Sequence, residues 1–149
     1  MLRIKTCREN ERGSTLVEFA IGVTVFATAM FAVLEFGRAL WVHNALTDAA
    51  RRGARYAALH TQASSDQVKN VVVYGNEGGS GQPMLSNLST TNVDVDYNAF
   101  GLNDGTVTVS INEYQFQFVI PIVGTTITMP HYSTTLTAEC AGLIPANIN

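Results

Sequence analysis

Positive charge is almost missing from the second half of this 149-residue chain. From residue 61 onward Lys69 stands alone against seven acids, a net of −6. A segment so poor in lysine and arginine excludes nucleic acid as its partner, because phosphate contacts come from cations. Cysteine is equally sparse. Cys7 and Cys140 lie at opposite ends without metal-ligand spacing, which excludes a disulfide framework and a zinc site. If the N-terminal stretch is removed or stays in the cytoplasm the two cannot pair, and Cys140 reads as a small apolar strand residue. Catalytic constellations are missing too. His43, His60 and His131 are scattered, the serines form no nucleophile elbow, and the loop Gly75–Pro83 lacks the lysine of a phosphate-binding loop. Asp94 and Asp96 stand two apart, as on a solvated strand face. The reading is of a non-enzyme, with no catalytic, metal or cofactor-binding residue and no cofactor.

What is present is concentrated near the N-terminus. Leu16 to Leu34 is a 19-residue apolar run in which Glu18 is the only charge. As a helix it reaches ~28 Å at ~1.5 Å per residue, close to the ~30 Å hydrocarbon core of a bilayer. Residues 1–13 carry a net of +2, which places the N-terminus in the cytoplasm and sends the C-terminal part across. Arg51, Arg52 and Arg55 lie within the same counting window and oppose that orientation. A cleavable secretory signal is the competing reading, with Ala27-Thr28-Ala29 as its cleavage site. The run is too long for it, however, and stays apolar past that point. A carboxylate at the edge of a membrane helix is costly and calls for a reason. If the chain were cut after Gly13, Glu18 would be the fifth residue of the product. Either Glu18 meets a cation in the same low-dielectric layer, or it lies shallowly among the headgroups.

No proline occurs between Thr15 and Leu59, so the helix is expected to run on well past the membrane. Gly22, Gly37 and Gly53 each cost about 1 kcal/mol relative to alanine, which a long helix tolerates. Beyond Leu34 the pattern turns amphipathic. Trp41, Ala45, Ala49 and Gly53 form one i,i+4 row, and Leu46, Ala50, Ala54 and Ala57 fall beside it. Such a small-residue row admits another backbone closely, either the chain's own C-terminal domain or the helix of another subunit. Residues 61–67 read as a polar connection, and Val68–Tyr74 as a strand or a short helix. From Thr91 the period becomes two: Val93–Tyr97, Thr106–Ile111, Tyr114–Ile120 and Tyr132–Glu139 predict strands. Asn103-Asp104-Gly105 is a turn signal between the first two. Pro121 and Pro130 bracket Ile122–Met129, an irregular excursion or short edge strand. The expected fold class is α+β: a long N-terminal helix packed on a small, mostly antiparallel sheet of three to five strands. Asn87-Leu88-Ser89 also fits the glycosylation sequon.

Arg12-Gly13-Ser14, Val17-Glu18-Phe19-Ala20, Glu35-Phe36-Gly37-Arg38 and Ala49-Ala50-Arg51-Arg52-Gly53-Ala54-Arg55-Tyr56-Ala57 occur in this order. The succession resembles the TadE/TadG-like family, the pseudopilins of tight-adherence (Flp-type) systems. The resemblance implies a pilin-like fold and a minor pilin or pilus-assembly component. It implies Gly13–Ser14 as the bond cut by a prepilin peptidase, and Glu18 as the carboxylate that neutralises a neighbour's N-terminal amine. It divides the chain into a leader (1–13), a long helix (14–60, membrane part about 16–34) and an extracytoplasmic domain (61–149). The implied location is the cytoplasmic (inner) membrane, spanned once, with possible extraction into a pilus. The implied partners are other pilin subunits, the prepilin peptidase, an inner-membrane assembly platform and membrane lipid. Two departures stand out. Many members carry a proline after VEFA where this chain has Ile21-Gly22-Val23-Thr24, and the cleaved product is far longer than the short major pilin, which argues against a main-filament role. A stand-alone, membrane-anchored binding module or adhesin is the alternative function.

Overall fold

The computed structural model describes residues 11–60, 64–98, 105–119 and 126–137. They form a helix, α1 (Glu11–Leu59), that enters two compact units, Met1–Arg38 and Ala39–Asn149.

Among the described residues of the first unit α1 is the one element. Its apolar side chains point outward all round: Phe19 is 69% exposed and Val33 72%. It is long and apolar enough to cross a membrane. Two threonine hydroxyls in this stretch are satisfied within the helix. The Thr24 hydroxyl donates to the Ala20 carbonyl and the Thr28 hydroxyl to the Thr24 carbonyl, each at 2.8 Å. Such back-bonding lets threonine sit in an apolar helix without an orphaned hydroxyl.

In the second unit residues 39–59 of α1 turn one face inward. Val42, Leu46, Ala49, Ala50, Gly53, Ala54 and Ala57 are buried, while Asn44, Asp48, Arg51 and Arg55 are exposed on the opposite side. A second helix, α2 (Ser65–Tyr74), buries Val68, Val71, Val72 and Val73. The open choice at Val68–Tyr74 thus resolves to helix. Valine favours strands, but Val68, Val71 and Val72 share a helical face, and that packing overrides propensity. Gly75 ends α2 in the left-handed region (φ 76°), its N–H bonded to the Val71 carbonyl at 3.1 Å.

Five strands follow: β1 (Val93–Asn98), β2 (Thr106–Ile111), β3 (Gln115–Gln117), β4 (Thr126–Thr128) and β5 (Tyr132–Thr137). An antiparallel sheet has the order β1-β2-β5, and β3 and β4 form a separate antiparallel ribbon. The excursion between the prolines therefore contributes an edge strand at Thr126–Thr128; residues 120–125 lie outside the described set, as do Asn103 and Asp104 of the expected turn. Register sorts the sheet's two faces. Val93, Ile111 and Tyr132 form one inner row, Val95, Val109 and Thr134 the next, and Tyr97, Val107 and Leu136 the third. These rows meet α1 and α2 in one apolar core with Leu46, Ala54, Val68 and Val72. Leu85 and Leu88 plug the core from the loop, and the Tyr114 hydroxyl ties that loop to the ribbon by donating to the Ser86 carbonyl at 2.7 Å. The result is an α+β arrangement, a long helix packed through its C-terminal half on a small antiparallel sheet.

Candidate functional site

Three features of α1 and one of the sheet hold the functional candidates. The first is at the start of the apolar run. Gly13, Ser14, Val17, Glu18 and Ile21 line one shallow groove on the helix surface. Ser14 and Glu18 are one turn apart, and both are exposed. The helix already runs at Glu11, so the Gly13–Ser14 bond lies inside helical backbone. A side chain at Gly13 would meet nothing within 4 Å. Among the described residues Glu18 forms no ion pair.

The second feature closes the apolar run. The Arg38 guanidinium donates to Glu35 Oε2 from Nη2 at 2.9 Å and from Nε at 3.3 Å. The pair is three residues apart on one face, and the Glu35 side chain is 13% exposed. This carboxylate therefore meets its cation within its own helix, whereas Glu18 has none among the described residues.

The third feature is the alanine- and arginine-rich stretch. The small residues belong to the intramolecular core. A β-carbon at Gly53 would collide with Val72 Cγ2 and come within 3.2 Å of Val109 Cγ1, so only glycine allows α1 to approach α2 and β2 this closely. Of the row Trp41, Ala45, Ala49, Gly53, the last two are buried while Trp41 is 61% exposed. Arg52 is half-buried, with Nη2 3.0 Å from Met84 Sδ and a buried Nε that has no hydrogen-bond partner among the described residues. Arg51 reaches Asp48 at 3.7 Å in an exposed pair. Arg55 is exposed.

Each histidine has a local role. His43 Nδ1 and the Tyr132 hydroxyl share a hydrogen bond of 2.8 Å, with the rings edge-on, which links α1 to β5. Burial pushes the Tyr132 phenol above its ordinary pKa of 10.0, and does the same to Tyr97. His60 stacks on Tyr56 with centroids 3.8 Å apart, and His131 bonds Asn112. No group of described residues could hold a metal ion. Asn87 is exposed with φ 66°, but the sequon hydroxyl of Ser89 is engaged by Thr91 and Asn92 at 2.6 and 2.9 Å.

The sheet's outer face is the feature that the sequence reading did not assemble. Asp94, Ser110 and Ser133 form one row, Asp96, Thr108 and Thr135 the next, and Asn98, Thr106 and Thr137 the last. All nine are polar and none is basic; Ser110, in the central strand, is the one of them that is buried. The alternation along each strand announced a polar face, but only the register sets the three strands side by side. Thr108 and Thr135 hydroxyls are hydrogen-bonded across strands at 2.8 Å, and Asn112 Nδ2 donates to Asp94 Oδ2 at 2.8 Å.

No curated protein and no solved structure matches the chain significantly. Proteins of the TadE-like family are structural and assembly components, not catalysts. Residues 13–55 match the family model described as TadE-like protein, so the likeness is at family level and rests on α1, about 28% of the chain.

Proposed function

We propose that this chain is a minor pilin or pseudopilin of a tight-adherence (Flp-type) pilus or related secretion machinery. One observation carries the reading: the TadE-like match falls on an apolar helix whose side chains are exposed among the described residues of its own unit. Together these support a membrane-anchored, pilin-type protein. In the finer reading residues 1–13 are a cytoplasmic leader and residues 61–149 an extracytoplasmic domain. A prepilin peptidase cuts Gly13–Ser14, and the new Ser14 amine joins the membrane boundary. Glu18 then pairs with the corresponding amine of a neighbouring subunit. The contrast with Glu35 supports this role, since Glu35 has Arg38 beside it and Glu18 forms no ion pair among the described residues. A carboxylate held in the bilayer costs a few kcal/mol and gains most from a cation in the same layer. Gly13 favours cleavage, being the weakest helix former in the first turns and so the easiest place to unwind. An inner-membrane assembly platform and other pilin subunits are the partners in this reading.

The test is intact-mass analysis of membrane-extracted protein from cells holding the peptidase, combined with cysteine cross-linking at Val17 in a Cys7→Ser, Cys140→Ser background. The protein should begin at Ser14. Glu18→Ala should insert normally but lose about tenfold in cross-linked dimer, as expected for ~1.4 kcal/mol of lost pairing. A chain beginning at Met1 would remove the processing step, and undiminished cross-linking by Glu18→Ala would remove the pairing role.

A further inference from the structure

We propose that the outer face of the β1-β2-β5 sheet docks onto the exposed back of α1 in a second copy of this chain, head to tail. The inference rests on the assembly reading above and adds to it a contact made by the C-terminal unit. Two surfaces on opposite sides of that unit carry it. On one side Asp94 and Asp96 project from β1 into a polar face with no basic residue among its nine positions. On the other, the exposed side of α1 presents Arg51 and Arg55, with Asp48 in a long 3.7 Å contact to Arg51 that is weak at such exposure.

The spacings match as well as the signs. Carboxylates two residues apart on a strand are ~7 Å apart. Guanidinium groups at i and i+4 on a helix start from positions ~6 Å apart along the axis. One copy therefore sets both arginines of α1 opposite both aspartates of its neighbour. Asn112 holds the Asp94 carboxylate in place through its 2.8 Å hydrogen bond. The exposed hydroxyls of Ser133, Thr135 and Thr137 on β5 supply donors and acceptors for Asn44 and the exposed helix rim.

The charge pattern also selects the symmetry. An acidic face repels an identical acidic face, so a two-fold contact through it is disfavoured. Acid to base makes a heterologous contact, and such contacts continue from copy to copy instead of closing in a pair. This is the geometry a filament or a filament tip needs.

The experiment uses the full chain in liposomes, with chemically cross-linked oligomers read on gels. Reversing the helix charges (Arg51→Glu with Arg55→Glu) or the sheet charges (Asp94→Lys with Asp96→Lys) should each reduce the oligomer ladder about tenfold. Mixing the two reversed chains should restore dimers, because each then meets its complement. The wild-type ladder should also weaken at high salt. All four positions are exposed, so circular dichroism should show the variants folded as wild type. A ladder that survives either reversal, or that mixing fails to restore, overturns the proposal. Cross-linking at Val17 separates this from the assembly reading. If it persists while charge reversal has no effect, helix assembly stands and the docking contact falls; if it is absent while reversal and rescue behave as stated, the converse holds.

Discussion

At the residue scale, glycine and tyrosine carry the sharpest consequences. Gly53 reads in sequence as a tolerable weakness in a long helix, and the propensity argument taken alone favours replacing it with alanine. The fold reverses that sign. Its missing β-carbon is what leaves room for Val72 and Val109 in the core. Gly53→Ala should therefore destabilise the C-terminal unit by about 1–3 kcal/mol through overpacking, despite a gain of about 1 kcal/mol in helix propensity. Thermal denaturation monitored by circular dichroism would check it, with Gly22→Ala as the control. Nothing lies within 4 Å of a side chain at Gly22, so that substitution should be neutral or stabilising. Glu18 offers the opposite lesson. A lone carboxylate in an apolar run is conspicuous in sequence whatever the tertiary structure, whereas the role of Gly53 depends on neighbours 15 and more positions away.

At the scale of elements, period decides what could be read. β1, β2 and β5 were visible as strands because each alternates between a core row and a polar row. α2 was ambiguous because a valine-rich run of seven residues fits a strand by composition and a helix by packing. The pairing of β2 with β5, rather than with β3, was hidden, since alternation identifies strands without naming partners. The outer polar face, and with it the charge match to α1, became visible only with that pairing. The end of α2 supplies a test of how the helix is terminated. Gly75 holds φ 76°, and its added β-carbon would lie 3.1 Å from Met84 Sδ. Gly75→Ala should cost about 1–2 kcal/mol, most of it the left-handed backbone. Hydrogen exchange should show the loss in the last turn of α2 first.

At the scale of the whole molecule, the core sets an alkaline limit. Tyr97 and Tyr132 have phenols raised above 10.0 by burial. Above about pH 10 the unfolded chain gives up these protons while the folded chain keeps them, so the folded state binds more protons and stability falls as pH rises. Below that pH the contribution is complete and flat. Denaturant midpoints measured from pH 8 to 11 should decline only in the upper part of the range, and Tyr97→Phe with Tyr132→Phe should lessen the decline. Net charge also divides by region, with +3 over residues 36–60 and −6 from residue 61 onward. That division was readable at once; what it serves depends on the fold exposing Arg51 and Arg55 on the back of α1, and Asp94 and Asp96 on the outer face of the sheet.

The place of β5 bears on how the chain is made. β2 is the central strand, and its second neighbour is the last described element, Tyr132–Thr137. The apolar part of α1 leaves the ribosome roughly a hundred residues earlier, a lag of about 5–20 s at ordinary synthesis rates. During that interval β2 has one bare edge, and the inner row of Val107, Val109 and Ile111 is incompletely covered. The apolar part of α1 is thus synthesised well before the C-terminal unit is able to close. A nascent chain halted before Tyr132 holds a finished apolar helix and an unfinished sheet, and it is at that stage that a chaperone or a quality-control protease has something to recognise.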